Sequence, residues 1–544
     1  MPLSRRFLRL RTIRPVAPFL SLLFSFPAFS PAQAVAPANV DPWVLDAMQR
    51  STRSTRSTRS APSAPGSAGT SEFLIVMKEQ ADLSGAARLS TKAEKGRFVV
   101  ERLRETAARS QSPVLATLAA AGVEHRSYWV ANLIWAKGDA NLVATLAARS
   151  DVRGIAANPV VAGERSRSGQ LPDSLLPETF DAIDAVEWNI SLVNAPAVWA
   201  LGYSGQGAVV AGEDTGYDWT HLALKSHYRG WNGATADHNF NWHDAIHSST
   251  GDCSGNHTEP CDDVDHGSHT MGTMVGDDNS GNQIGMAPQA KWIGCRNMDQ
   301  GNGTPATYTE CWQWMIAPTD LANANPDPAK APDAINNSWG CPAAEGCDAN
   351  ATEAMRLVVE SVRAAGIVPV SSAGNSGSGC SSVSTPAAIY DAIFTVGSTT
   401  ISDSISSFSS RGPVTVDGSN RRKPDIAAPG SNVRSSVPGG GFASFSGTSM
   451  ASPHVVGLVA LLISAEPALA GNVERIEELI REGAVHLTSS AQVCGGLSAT
   501  VYPNNTFGFG RIDAMASIDL LLAGLLFRDG FESGLTDDWT PTLP

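Results

Sequence analysis

Cysteine is missing from the first 252 residues, and no two of the eight cysteines stand in C-x-x-C spacing, so the pattern does not read as a zinc site. Charged residues are scarce at 17%, and 42% of the chain is apolar, which excludes a largely disordered protein. Past the N-terminus there is no long apolar run, and that excludes a multi-span membrane protein. The 50 glycines and 33 prolines follow no G-x-y period, which excludes collagen. Lysine is absent from the first sixty residues, where nine arginines stand against two aspartates for a net of +7. With −14 overall, the rest of the chain carries −21. Phosphate backbones repel such a body, so nucleic acid is not an expected partner. The length, 544 residues, suggests about two to four structural units.

The basic start has a clear reading. Arg5, Arg6, Arg9, Arg11 and Arg14 precede a short, proline-broken apolar run over residues 16–29, followed by the small-x-small sequence Ala32-Gln33-Ala34. This pattern predicts a signal peptide over 1–34, not a stable membrane span, and a secreted protein, extracellular or periplasmic. An even number of cysteines suits four disulfides in an oxidising compartment.

Five further segments follow. Residues 35–70, with the repeat STRSTRSTRS, read as a low-complexity linker. Residues 71–161 read as a small α+β unit: a strand over 72–77, a helix over 91–121 interrupted at Ser112-Pro113, a strand over 123–136, a short helix and a final strand over 152–161. Residues 162–185 turn polar and look like an exposed processing segment. From 186 to 523 short apolar strands alternate with helical patterns, as an α/β parallel sheet requires. Residues 524–544 read as an acidic, loop-like tail.

Three segments carry the parts of a nucleophilic triad. Asp214 ends a buried strand in Ala208-Val-Val-Ala-Gly-Glu-Asp-Thr-Gly216; His266 opens His266-Gly-Ser-His269; Ser449 sits in Phe445-Ser-Gly-Thr-Ser-Met-Ala-Ser-Pro-His454, where a glycine-bearing loop enters an apolar helix. A serine hydroxyl is too weak an acid to attack an amide unaided. A histidine within reach takes its proton and later gives it to the leaving amine, and a buried carboxylate fixes the imidazole tautomer. The helix N-terminus at Ser449 offers backbone N–H groups to a developing oxyanion. The order Asp, His, Ser is that of subtilisin, whereas α/β-hydrolases place serine first. Gly447-Thr-Ser-Met-Ala451 also lacks the last glycine of G-x-S-x-G.

With these residues in view, the chain resembles a subtilisin-type (subtilase) serine peptidase. His266-Gly-Ser-His269 is similar to the family's H-G-T-H, and Gly447-Thr-Ser-Met-Ala-Ser-Pro453 to its G-T-S-M-A-x-P. Asn336-Asn-Ser-Trp-Gly340, Ser372-Ala-Gly-Asn375, Phe408-Ser-Ser-Arg-Gly-Pro413, Lys423-Pro-Asp-Ile-Ala-Ala-Pro-Gly430 and Gly508-Phe-Gly-Arg-Ile-Asp-Ala514 follow in order over about residues 186–520. The stretch from Cys295 to Gly340 most resembles the bacillopeptidase F-like branch. The resemblance implies a three-layer α/β fold with a mostly parallel sheet, preceded by a small α+β inhibitory propeptide at 71–161. It implies a serine-type endopeptidase made as a zymogen, acting on protein or peptide substrates as a monomer, with its own propeptide as intramolecular inhibitor. It gives Asp214, His266 and Ser449 the catalytic roles, His269 a packing role, and the oxyanion hole to the Asn375 side chain and the Ser449 N–H. It makes Ser338, Trp339, Gly340 and Ser372, Ala373, Gly374 extended edges that flank the substrate. The chemistry requires no cofactor.

Two departures stand out. Glu213 precedes Asp214 where the family usually has an apolar residue, and a long insertion separates Asp214 from His266. The oxygen-rich stretch 277–283 takes the place of a calcium loop in many relatives, and it reads equally as a structural calcium site or a solvated turn. Loop closure pairs Cys253 with Cys261 and Cys341 with Cys347 as short local loops, then Cys295 with Cys311, leaving Cys380 with Cys494. Two other functions remain on the same fold: a catalytically silent binding module, which would need neither an intact triad nor Asn375, and an esterase.

Overall fold

The computed structural model describes residues 39–57, 69–163, 167–168, 185–247, 253, 255, 257–489 and 492–526. The expected signal peptide, most of the 162–185 segment and nearly all of the tail lie outside these residues.

The N-terminal unit is a four-stranded antiparallel sheet, with β1 (Ser71–Met77), β2 (His125–Tyr128), β3 (Leu133–Gly138) and β4 (Val152–Ala157) in the order β2-β3-β1-β4. β1 is apolar on both faces because both are covered. Phe73, Ile75 and Met77 pack with Val114, Leu118 and Val143, while Leu74 and Val76 join a cluster with Trp312, Met315 and Met355 of the larger unit. The expected single strand over 123–136 is two strands. The chain turns between them at Asn132, in the left-handed region at φ 50°, a conformation asparagine tolerates. Helix α2 (Lys92–Ala120) opens with a capping box between Thr91 and Glu94 and runs unbroken through Pro113, which is exposed on its outer face; the short helix α3 (Ala140–Ala147) follows, capped by Asp139.

The linker expectation for 35–70 needs correction. Pro42–Ser57 is a helix, α1, and Val40, Val44 and Met48 are buried against Phe73 and Ile155. Val44 and Met48, four residues apart, share one face of this helix, while Val40, just ahead of it, bridges to Ile155; the polar STR repeat that follows dominates the composition.

The larger unit is built on a seven-stranded parallel sheet: β5 (Val209–Asp214), β6 (Trp242–Asp244), β7 (Lys291–Arg296), β8 (Ala334–Asn337), β9 (Val368–Ser372), β10 (Phe394–Thr399) and β11 (Ile426–Pro429), ordered β11-β10-β9-β8-β5-β7-β6. Alternate residues supply two cores. Val210, Trp292 and Ala334 face a layer that contains α4 (His266–Val275) and α7 (Thr448–Ala465); Ala211, Ile293 and Ile335 face α5 (Pro305–Ile316) and α6 (Ala349–Ala364). The result is the three-layer α/β arrangement that the resemblance implies. Helix α7 is apolar all round and 89% buried, and it is the one described helix long and apolar enough to cross a membrane. The last helix, Ala514–Leu526, runs slightly past the expected domain end at 523.

Candidate active site

The strand ends carry the site. β5 delivers Asp214 at the carboxyl edge of the sheet, where α/β proteins place their ligands. The turn that follows needs glycine: Gly216 has φ +115°, and a Cβ there would lie 1.7 Å from the Cys261 carbonyl oxygen. This close approach lets α4 start beside β5, and His266 is its first residue. His266 Nδ1 donates to Asp214 Oδ1 at 2.7 Å, and Thr215 N donates to the same oxygen at 2.8 Å. Asp214 is fully buried and His266 nearly so. With its proton on Nδ1, the imidazole presents Nε2 as the basic nitrogen. Asp262 ties the two elements together, accepting from Thr215 Oγ1 at 2.7 Å and from Ser268 N at 2.8 Å; burial pushes its carboxyl up to about 6.

Two other buried histidines, His269 and His454, are poor bases. Burial pushes His269 down to about 3 and His454 down to about 4. His269 Nε2 donates to the carbonyls of Val433 and Ala443, and its ring stacks on Phe445 at 4.4 Å, a packing role.

Ser449 stands in the first turn of α7. Pro453, four residues on, has no N–H to give the Ser449 carbonyl. Ser338 Oγ takes that place, donating to Ser449 O at 3.3 Å. Asn336 and Ser452 complete the support: Asn336 Nδ2 donates to Ser338 Oγ at 2.9 Å, and Ser452 Oγ donates to Asn336 Oδ1 at 2.6 Å. Motif matching marked Asn336 but gave it no role; here it pins the reactive turn to the end of β8. Asn375 Oδ1 accepts from Thr448 N at 2.8 Å and Thr448 Oγ1 at 3.0 Å, which fixes the carboxamide with its nitrogen turned the other way. Gly374 N donates to Thr448 Oγ1 at 3.1 Å. Ser338, Trp339 and Gly340 follow β8, while Ser372, at the end of β9, leads into Ala373 and Gly374 on the neighbouring strand.

A third edge escaped the sequence reading. Val161 and Ala162, leaving the N-terminal unit, pair antiparallel with Asn302 and Gly303, and Gly163 N donates to Gly301 O at 2.6 Å. Arg167 and Ser168 then pair antiparallel with Phe445 and Ser446, three residues ahead of Ser449. The signal for this edge was only the glycine pair in Asp299-Gln-Gly-Asn-Gly303. Its base is held by the fully buried Arg296, whose guanidinium meets Asp299 at 2.8 Å, Asp263 at 3.0 Å and Asp244 at 3.2 Å.

Disulfides frame these loops. Cys253–Cys261, Cys295–Cys311, Cys341–Cys347 and Cys380–Cys494 are joined, with Cα separations of 5.9, 5.6, 5.6 and 5.2 Å. In the 277–283 loop, Asp277 accepts from Asn279 N and Asp278 accepts from Ser280 N and Asn282 N, so these carboxylates close the loop's own turns. Among the described residues no group of three or more His, Cys, Asp or Glu is arranged to hold a metal ion.

A family model described as the subtilase family matches residues 205–510. The chain is 36% identical over 498 residues to bacillopeptidase F of Bacillus subtilis (strain 168), across 87% of this chain and 33% of that protein. It therefore spans about a third of that relative, and the match reaches into the N-terminal unit. It is 31% identical over 315 residues to subtilisin E of the same organism, across 58% of this chain and 70% of the relative. It is 34% identical over 250 residues to the serine protease AprX, again of that organism, across 42% of this chain and 54% of the relative.

Proposed function

Because the chain belongs to the subtilase family of peptidases, we propose that it is a secreted serine endopeptidase, made as a zymogen, that cuts peptide bonds through Asp214, His266 and Ser449. The observation that carries this reading is the course of the chain leaving the N-terminal unit. It lies antiparallel on Gly303 before the site and on Phe445 after it, as a substrate would. In the reaction, His266 Nε2 takes the proton of Ser449 Oγ as that oxygen attacks the carbonyl carbon. The Asn375 Nδ2 and the Ser449 N–H receive the oxyanion. Nε2 returns the proton to the leaving amine, and water resolves the acyl-enzyme by the same base. Asp214 keeps the tautomer and stabilises the imidazolium. Calcium enters this reading only as a structural ligand of the 277–283 loop. An ester assay beside a peptide assay separates this reading from an esterase.

The N-terminal unit serves as the inhibitor. Lys92 Nζ meets Asp333 at 2.6 Å, Tyr128 OH donates to Glu310 at 2.9 Å, and Gln313 Oε1 accepts from Trp129 N at 2.6 Å. With the chain held at 161–163 on one side and 167–168 on the other, the bond to be cut lies between Gly163 and Arg167. Active enzyme should hydrolyse casein, lose that activity when an organofluorophosphate labels Ser449, and begin at one of residues 164–167 by N-terminal sequencing. A mature start far from this window would refute the assignment of the processing site.

Docking of this unit should weaken with rising pH. Asp41, at the start of α1, is buried and accepts from Trp43 N and Ala157 N. Burial, then the neighbouring Asp348 carboxyl at the cap of α6, raises it from 3.8 to about 7. The docked state thus holds a proton that the free state has released, and stability falls as pH climbs from about 4 to about 7, then levels. In uncleaved Ser449→Ala precursor, Asp41→Asn should leave Tm nearly unchanged at pH 4 and raise it at pH 8. An equal shift at both pH values would count against the carboxyl pair.

A further inference from the structure

Glu213 occupies a place no charged group should hold. In β5 its neighbours Asp214 and Gly212 point to the opposite face, and its partners across the sheet are Cys295 and Asn337. It is fully buried on the face covered by α5. The carboxyl faces the indole of Trp339 and the carboxamide of Asn297, and the Asp214 carboxylate is the charged group acting on it. Burial, reinforced by that like charge, raises its pKa well above the ordinary carboxylate range. Glu213 Oε1 and Oε2, Trp339 Nε1, and Asn297 Oδ1 and Nδ2 are all buried, and none reaches hydrogen-bond geometry with any partner, inside the cluster or outside it. Buried polar groups left unpaired are costly, so the set must satisfy itself.

The cluster reaches both substrate edges. Trp339 stacks on Tyr308 with ring centroids 3.9 Å apart and planes 12° apart. Tyr308 in turn presses on Gly303, where a Cβ would lie 2.3 Å from the ring. Glu213, Trp339, Tyr308 and Gly303 thus form one line, from the strand that bears Asp214 to the edges at 301–303 and 338–340.

We infer that Glu213 is a positioning residue for the peptide groove: as a neutral acid it accepts from Trp339 Nε1 and donates to Asn297 Oδ1, and so fixes the Trp339–Tyr308 stack that sets the spacing of the two edges. This rests on the peptidase reading above. A carboxamide can replace a neutral acid here, since it keeps one donor and one acceptor; a hydrocarbon cannot.

The test compares Glu213→Gln, Glu213→Leu and Trp339→Phe in the mature enzyme. Each is assayed with a long peptide that spans both edges, with a short ester, and by the rate of organofluorophosphate labelling at Ser449. Glu213→Gln should keep the parent KM. Glu213→Leu should raise KM for the long peptide by about tenfold, a modest cost for a misplaced binding edge, while ester turnover and labelling stay near parental. Trp339→Phe keeps the ring but loses the donor, and should raise the same KM in the same direction, which covers a Leu variant that fails to fold. The inference is overturned if Glu213→Gln raises KM as Leu does, or if neither Leu nor Phe shifts KM for the long peptide. Absence of labelling in the parent enzyme would instead overturn the peptidase reading itself.

Discussion

Ser449→Ala should abolish hydrolysis of casein and of peptide esters, and should leave the chain uncut at 163–167. In subtilisin the loss of the serine alone lowers turnover on the order of 10⁶-fold, about as much as loss of the whole triad. The effect is that large because Oγ forms the acyl bond, and nothing else in the first turn of α7 can: Thr448 Oγ1 is committed to Asn375 Oδ1 at 3.0 Å, and Ser452 Oγ to Asn336 at 2.6 Å. The fold should be unaffected, since the supports of this turn act on the Ser449 carbonyl and on its neighbours, not on Oγ. SDS gels of secreted protein and a casein assay check both halves. Normal activity would sink the triad; an inactive yet fully processed chain would mean that another protease makes the cut.

Asn375→Ala should lower kcat by about 10²–10³-fold with KM nearly unchanged, the size of effect known for the equivalent donor in subtilisin. The carboxamide donates without carrying charge, and its strength comes from being fixed in advance. Thr448 N and Oγ1 hold its oxygen, so the nitrogen needs no reorganisation as charge develops. The ground-state carbonyl gains less from it than the oxyanion does, hence the split between kcat and KM. A change confined to KM would assign Asn375 to substrate binding instead. Thr448→Val should reproduce part of the loss, because it removes one of the two hydrogen bonds that hold the amide oxygen, leaving only that from Thr448 N.

The sequence was most readable where chemistry demands particular residue types. Asp214, His266, Ser449 and Asn375 stand in the ordered motifs that carry the family resemblance, and the parallel strands showed as short apolar runs within 186–523. Side-chain motifs say little about main-chain surfaces. The edge at 301–303 binds through its backbone, and only two glycines hinted at it. Helix α1 was hidden by composition: Val44 and Met48 share one helical face, but the serine and arginine repeat beyond them looks like a linker. Asn132 divided a strand because asparagine accepts a left-handed turn, which periodicity alone does not reveal. Glu213 was visible as an oddity beside Asp214, yet its surroundings, Asn297, α5 and Trp339, come from more than eighty residues further along the chain.

The strand pairing at 161–162 and 167–168 has a consequence for what this protein can digest. A substrate must offer extended backbone, with its donors and acceptors available, on both sides of the scissile bond. Native helices and interior strands have already spent those groups, and only loose termini, long loops and transiently opened segments offer them. Turnover of a folded target should therefore follow the free energy of its local opening more closely than its amino-acid composition. Two proteins with identical preferred cleavage sequences would be consumed at rates ordered by their fluctuations, and the groove would act as a selector of poorly folded chains.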